Sequence, residues 1–275
     1  MAGTASTVRS WLLLEHPGPW GRDAFVDTRL PERFGRELLV RCRAADVRPL
    51  LIRRPGGGEG SACFAIRSGP GLPWIERTDL VRIEDAVALD LDALGRGERL
   101  GLEPVGGALF LVCTHGRHDP CCAERGRPLG QTLSRAFPDE TWETTHVGGD
   151  RFAGNLVTFP HGIYFGRVGT EEGVRIARGY VEGKLDIEHV RGRSCFPMAV
   201  QAAEHALRSA RRLDRLDDVA LERTTRTGRE LTATFRTPTG RIGVRIRIEE
   251  AVPTRLTCHS EAERSAPGYR VLAVE

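Results

Sequence analysis

Three cysteines stand close together in Cys113-Thr-His-Gly-Arg-His-Asp-Pro-Cys121-Cys122, and about two dozen residues further on the chain reads His146-Val-Gly-Gly-Asp150. Thiolates and an imidazole gathered in one place suit an iron–sulfur cluster or zinc, metals that accept sulfur and ring nitrogen. An apolar strand running straight into Cys113, followed by a polar loop that returns two more thiols, brings sulfur to the mouth of a sheet, where ligand-holding loops sit on a rigid scaffold. Gly148-Gly149 has no Cβ, so its backbone can pass close to a bulky ligand while His146 and Asp150 on either side turn inward. The same pair also suits a simple tight turn. Cys121 and Cys122 are adjacent and point in different directions, so at most one of them reaches a shared centre. The cysteine spacing is none of the common zinc spacings, and His115 and His118 read as loop histidines bonded to backbone or water.

The elements that position these residues follow from apolar spacing. Ala108–Val112 is a continuous apolar strand, and Pro128–Phe137 an amphipathic helix with Pro128 in its first turn. Asn155–Phe159 and Ile163–Val168 form a hairpin across Pro160-His161-Gly162. Thr170–Glu182 closes the segment as a helix, with Thr170 as N-cap and Glu171 and Glu172 in its first turn. Strand, helix, strand, hairpin, helix is the order of a thioredoxin-like domain. The first hundred residues read as a degenerate copy of it: a strand at Ser10–Leu14, a helix at Phe34–Ala45, a strand at Val47–Ile52 and an alternating stretch at Asp85–Leu94. In this reading Trp11–Leu14 and His16 lie where Phe110–Cys113 and His115 lie in the second segment. After about residue 190 the pattern becomes a helix at Cys195–Leu213, a hairpin of Ala220–Thr237 and Arg241–Val252 around Thr239-Gly240, and a third strand at Arg255–Cys258. The expected fold class is α/β: an N-terminal thioredoxin-like half (1–104), a thioredoxin-like ferredoxin domain (105–189) and a small α+β C-terminal domain (190–275).

Composition removes several classes of function. With 275 residues, 40% hydrophobic and 28% charged, the chain is an ordinary globular protein with room for one large core or two to three small ones. Its net charge of +3 is spread over 40 basic and 37 acidic residues, with no basic block to track phosphates, so no nucleic acid partner is expected. Gly56-Gly57-Gly58 is followed by no Gly-Lys-Ser/Thr and reads as a turn, not a phosphate loop. The first apolar run, Trp11–Leu14, is too short for a signal peptide or a membrane span, so a cytoplasmic protein is expected. Seven cysteines is an odd number, which argues against a disulfide framework in such a chain and for metal or thiol chemistry. Cys42, Cys63, Cys195 and Cys258 stand apart in sequence and read as small buried hydrophobes.

The Cys113–Cys122 and His146-Val-Gly-Gly motifs, with Arg151-Phe-Ala-Gly-Asn155, Pro160-His-Gly-Ile-Tyr-Phe-Gly-Arg167 and the early Trp11-Leu-Leu-Leu-Glu-His-Pro-Gly-Pro-Trp20, resemble the sucrase/ferredoxin-like family over nearly the whole chain. The resemblance implies a thioredoxin-like [2Fe-2S] ferredoxin whose cluster is held by two cysteines and by the two histidines of a His-x-Gly-Gly-His motif. Carried over residue by residue, Cys113 and Cys122 take the cysteine positions, His146 the first histidine, and Asp150 stands where the second histidine is expected. The fourth ligand is then Asp150, a harder donor that makes a more labile cluster, or Cys121, or the cluster is lost. No carboxylate pair has a glycosidase setting, so "sucrase" is a historical label here.

The expected function is one-electron transfer through this cluster to and from redox protein partners, at a potential above that of all-cysteine plant-type clusters. Two rivals share the same residues. One is a thiol–disulfide or peroxide-reducing enzyme using Cys113, Cys121 and Cys122. The other is a zinc-binding or cluster-free interaction protein.

Overall fold

The computed structural model describes residues 1–31, 33–58, 60–257 and 262–275. Its largest feature is a ten-stranded mixed sheet, so the α/β expectation holds. The first segment contributes β1 (Ser10–Glu15), α1 (Phe34–Ala44), β2 (Val47–Arg53), β3 (Ala62–Arg67), β4 (Trp74–Asp79), the short helix α2 (Leu91–Arg96) and β5 (Glu103–Pro104). The second contributes β6 (Leu109–Cys113), α3 (Pro120–Ala136), β7 (Thr141–Thr144), β8 (Leu156–Phe159), β9 (Ile163–Phe165), α4 (Thr170–Val181) and β10 (Val190–Arg193). Both segments repeat one arrangement: β1 is parallel to β2 and antiparallel to β3, and β6 is parallel to β7 and antiparallel to β8. The two units join where β2 pairs antiparallel with β7, Ile52 opposite Thr144 and Arg53 opposite Glu143. They therefore share one sheet.

The apolar strands are buried on both faces, which is why they read as continuous runs without polar alternation. Leu12 and Leu14 pack against α1 and α2, while Trp11 and Leu13 join a central core with Leu109, Leu111, Cys113 and Trp142. Phe110 and Val112 turn to α3 and α4, meeting Leu129, Leu133 and Ile176. The Trp11 ring meets Phe159 of β8 edge-on at 5.1 Å between centroids, tying the two segments across their shared core. Beyond β10, helix α5 (Met198–Arg211) lies on a four-stranded antiparallel sheet of β11 (Ala220–Thr227), β12 (Glu230–Thr237), β13 (Gly240–Glu250) and β16 (Pro267–Val274); β14 (Thr254–Arg255) and β15 (Glu263–Arg264) form a separate pair.

Several local expectations change. Helix α3 begins at Pro120, not Pro128; Asp119 caps it by accepting from the Cys121 N–H at 3.3 Å, and Pro128 lies inside the helix. Asp85–Leu94 is not extended: Asp90 accepts from the Ala93 N–H at 2.9 Å and starts α2, a side-chain cap that outweighs the alternating pattern. The N-cap of α4 is Gly169, not Thr170. Ala220–Thr237 turns back on itself at Gly228 as two strands, and α5 starts only after Pro197. In place of a third strand at Arg255–Cys258, Thr254–Arg255 pairs with β15; Cys258 lies outside the described residues. The C-terminal layer starts after β10, because Val190–Arg193 pairs with β9 in the large sheet.

That layer is anchored by a buried charge group. Glu204 on α5 accepts from Arg193 at 2.8 Å and Arg208 at 2.9 Å, and both Glu204 and Arg208 are buried. Burial works to raise the Glu204 pKa, but the two guanidinium groups outweigh it and hold the carboxyl below its ordinary 4.5. The stability this contributes is present above that ordinary value and is lost as pH falls through the lower folded-state value. Glu204→Gln should cost about 3–5 kcal/mol by stranding buried positive charge. In urea titrations the wild type should weaken below pH 4.5, with the variant showing a smaller acid dependence; equal acid dependence in both would refute the assignment.

Candidate metal centre

Cys113 ends β6, an interior strand between β7 and β8, and its N–H donates to the Asn155 carbonyl at 3.0 Å, so its thiol lies at the C-terminal end of that strand. Cys122 comes from the first turn of α3, and both cysteines are 1% exposed. Gly126 permits their meeting: a Cβ there would lie 2.1 Å from the Cys113 carbonyl oxygen, so only glycine lets the helix sit this close to the strand end. Pro120 and the Asp119 cap fix the N-terminus of α3 beside the thiols, where the positive end of the helix dipole favours thiolate.

His146 follows β7 after Thr145. Its N–H donates to His115 Nδ1 at 3.2 Å, and its carbonyl accepts from Arg48 Nη2 of β2 at 3.0 Å. His115 is 2.6 Å from the Gly21 carbonyl through Nε2, so both its ring nitrogens are engaged with backbone, as expected. His118 behaves differently from a loop histidine: its exposed ring stacks on His146 with centroids 4.0 Å apart. The ligand atoms of Cys113, Cys122 and His146 all lie within 4.8 Å of one another, as do those of His118, His146 and Asp150.

Asp150 is 4% exposed, with Oδ1 at 3.0 Å from His146 Nδ1 and at 3.8 Å from Cys122 Sγ. All four residues singled out from sequence, Cys113, Cys122, His146 and Asp150, are thus neighbours. Cys121 is disulfide-bonded, its sulfur 3.2 Å from Asp119 Oδ1 and 3.4 Å from the Asp150 carbonyl. The glycine pair has a different reason from the one expected. Gly148 and Gly149 have φ of +96° and +83°, and a Cβ on Gly149 would lie 2.2 Å from Arg191 Nη2, so the close approach is to a buried guanidinium. No sequence signal singled out Arg191 or Arg48.

The electrostatics suit a site that binds a cation or a cationic core. The Cys122 thiol hydrogen-bonds Cys113 and, with help from His146, overcomes burial to hold Cys113 well below its ordinary range; the same pairing pushes Cys122 well above it. The two thiols therefore give up their protons in two widely separated steps. Burial works to lower the His146 pKa, but Asp150 and Cys113 outweigh it and raise it to about 9. His146 Nδ1 is a buried nitrogen that lies 3.0 Å from Asp150 Oδ1. An imidazole beside two thiols and a carboxylate fits a metal or metal-cluster ligand set.

A profile of the family described as Sucrase/ferredoxin-like matches residues 1–192. This chain belongs to the sucrase/ferredoxin-like family. Among curated proteins it is similar to "Altered inheritance of mitochondria protein 32" of Meyerozyma guilliermondii, 34% identical over a stretch covering 27% of this chain and 35% of the relative. The chain thus matches about a third of that relative's length. No solved structure matches. Among the described residues no helix is long and apolar enough to cross a membrane.

The His146 pKa of about 9 sets a pH dependence for this family member. Metal binding must displace the ring proton as well as the Cys122 thiol proton, so zinc affinity of the metal-free protein should climb with pH and climb less steeply, by one proton, above about 9. Zinc titrations at stepped pH check this; a slope that does not change across about pH 9 would show that His146 does not bind the ion.

Proposed function

We propose that this protein is a one-electron carrier that holds a [2Fe-2S] cluster through Cys113, Cys122, His146 and Asp150. The observation that carries the reading is the meeting of two buried thiols, an imidazole and a buried carboxylate from separate elements in one place. Membership of a ferredoxin-like family supports it. When bound, such a cluster supplies a one-electron couple whose potential is raised by imidazole ligation relative to all-cysteine sites.

The chain's own residues define how such a site would work. Cys113 and Cys122 keep sulfur away from water, each being 1% exposed. The His146 side chain is 22% exposed and is covered in part by the His118 ring, so the imidazole edge is the nearest route between the centre and a redox partner. Asp150 supplies an anionic donor where the family's motif has a second histidine. We assign the protein to the cytoplasm, with redox proteins as partners.

Burial counts against Cys113 and Cys122 as the nucleophile of the thiol-enzyme rival: such a cysteine needs access, and each is 1% exposed although the Cys113 pKa is depressed. A single zinc ion is favoured by one observation, the compactness of the donors. A tetrahedron with Zn–S of about 2.3 Å and Zn–N of about 2.0 Å has ligand–ligand edges of roughly 3.3–3.8 Å, close to the 3.0 and 3.8 Å separations around Asp150.

Protein purified without oxygen should be red-brown with about two irons and two sulfides per chain. Cys113→Ser and Cys122→Ser should be colourless. Asp150→Ala should lose its colour faster in air, and Asp150→His should keep it at a raised potential, since a neutral ligand replaces an anionic one. A colourless wild type with one zinc per chain would establish the zinc reading in place of electron transfer.

A further inference from the structure

Arg191 of β10 lies beneath the 146–150 turn with 1% of its surface exposed. Its guanidinium is engaged by neutral acceptors: Nε donates to Thr4 Oγ1 at 3.1 Å, Nη1 to the Gly148 carbonyl at 2.9 Å and Asn155 Oδ1 at 2.6 Å, and Nη2 to the Thr4 carbonyl at 2.5 Å. None of these is a carboxylate, and among the described residues Arg191 makes no ion pair. The rings of Phe152 and Tyr164 lie 5.0 and 5.5 Å from its Cζ, offering quadrupole attraction but no net charge. A charge taken out of water without a counter-charge is strongly destabilising.

Arg191 lines the same cavity as His146, Gly149 and Asp150, so the groups of opposite sign near it belong to the candidate centre. Burial depresses its pKa to about 10, Arg151 adds to the depression, and Tyr164, Asp150 and Cys113 oppose it. Tyr164 is kept a neutral phenol by burial, which leaves the Cys113 thiolate and the Asp150 carboxylate. We infer that Arg191 is the buried counter-charge of this centre, positioning the turn between His146 and Asp150 through Gly148 and raising the reduction potential through its fixed positive charge.

This inference rests on the electron-transfer reading and adds a residue that touches none of the proposed ligand atoms. Two thiolates and a carboxylate make the loaded pocket electron-rich, and reduction adds one further negative charge to it. A cation fixed in a low-dielectric interior stabilises the more negative state more, so its removal should make reduction harder. The hydrogen bonds to Thr4, Gly148 and Asn155 supply the rigidity, and the charge supplies the potential.

Two measurements separate this from a purely structural role. In the iron-loaded protein Arg191→Met should lower the reduction equilibrium constant at least tenfold, about 59 mV for a one-electron couple, while Arg191→Lys stays within about threefold of wild type. Potentials equal to wild type in both variants would overturn the inference. In metal-free protein, urea unfolding of Arg191→Met, Asp150→Asn and the double variant should be non-additive, because the two charges offset each other; additive effects would overturn it too. If Arg191→Met does not fold, Asn155→Asp sets a carboxylate on Nη1 at nearly the same shape. That variant should also lower the potential and change the Asp150→Asn effect, and an unchanged result in either would overturn the inference. Failure of the cluster reading itself shows separately, as wild-type protein without iron, sulfide or colour, and the metal-free measurement then decides the role of Arg191 alone.

Discussion

The approach of α3 to the end of β6 is the constraint around which the rest of the centre is arranged. Gly126 sits against the Cys113 carbonyl at a distance no side chain allows, and the first turn of the helix thereby reaches the strand end. Cys122 meets Cys113 for that reason, and the helix N-terminus adds its dipole to the pair. Moving the helix outward to accommodate a Cβ would draw Cys122 away from Cys113. A single missing methyl group thus couples the packing of the domain to the chemistry of its edge.

Within the repeated strand order, the two segments have taken different parts. The second carries every donor, and the first supplies walls. Arg48 of β2 holds the His146 carbonyl, and the loop after β1 brings Gly21 onto His115 and Trp20 edge-on to the same ring at 5.9 Å. These contacts exist because β2 and β7 pair at their ends and merge two units into one sheet. His115, locked between Gly21 and the His146 N–H, has both ring nitrogens engaged and positions its neighbour, the proposed ligand.

Charge is balanced across the same small volume. The surroundings favour the charged forms of His146, Cys113 and Asp150 together, and Arg191 lines the same cavity as His146 and Asp150. The N-terminal segment and the C-terminal layer participate as well, since Thr4 accepts from Arg191, and Ala5 exchanges hydrogen bonds with Gln201 of α5 at 3.1 Å in both directions. The layer beyond the large sheet therefore braces the centre from behind while contributing none of the four donors.

Much of this was legible in the residues themselves. Apolar runs such as Trp11–Leu14 and Leu109–Val112 mark strands buried on both faces because burial on two sides needs no polar alternation. Cys113, Cys122, His146 and Asp150 stood out because few residue types can ligate a metal and these lie in two short motifs. Local capping was harder to see: Asp119-Pro120 and Asp90 start helices through one side-chain hydrogen bond each, a signal that hydrophobic period does not carry. The strand Thr141–Thr144 is polar in composition yet buried, because its burial comes from neighbours far away in the chain. Arg191 and Arg48 lie about forty and one hundred residues from the histidine turn, and nothing in their local sequence sets them apart from the other arginines. The sequence by itself determined which donors exist and which strands are buried, since both depend on residue type and short-range spacing. Tertiary structure alone decided which buried cation faces those donors and which ring is held by backbone, because charge and hydrogen-bond partners are chosen by distance in space.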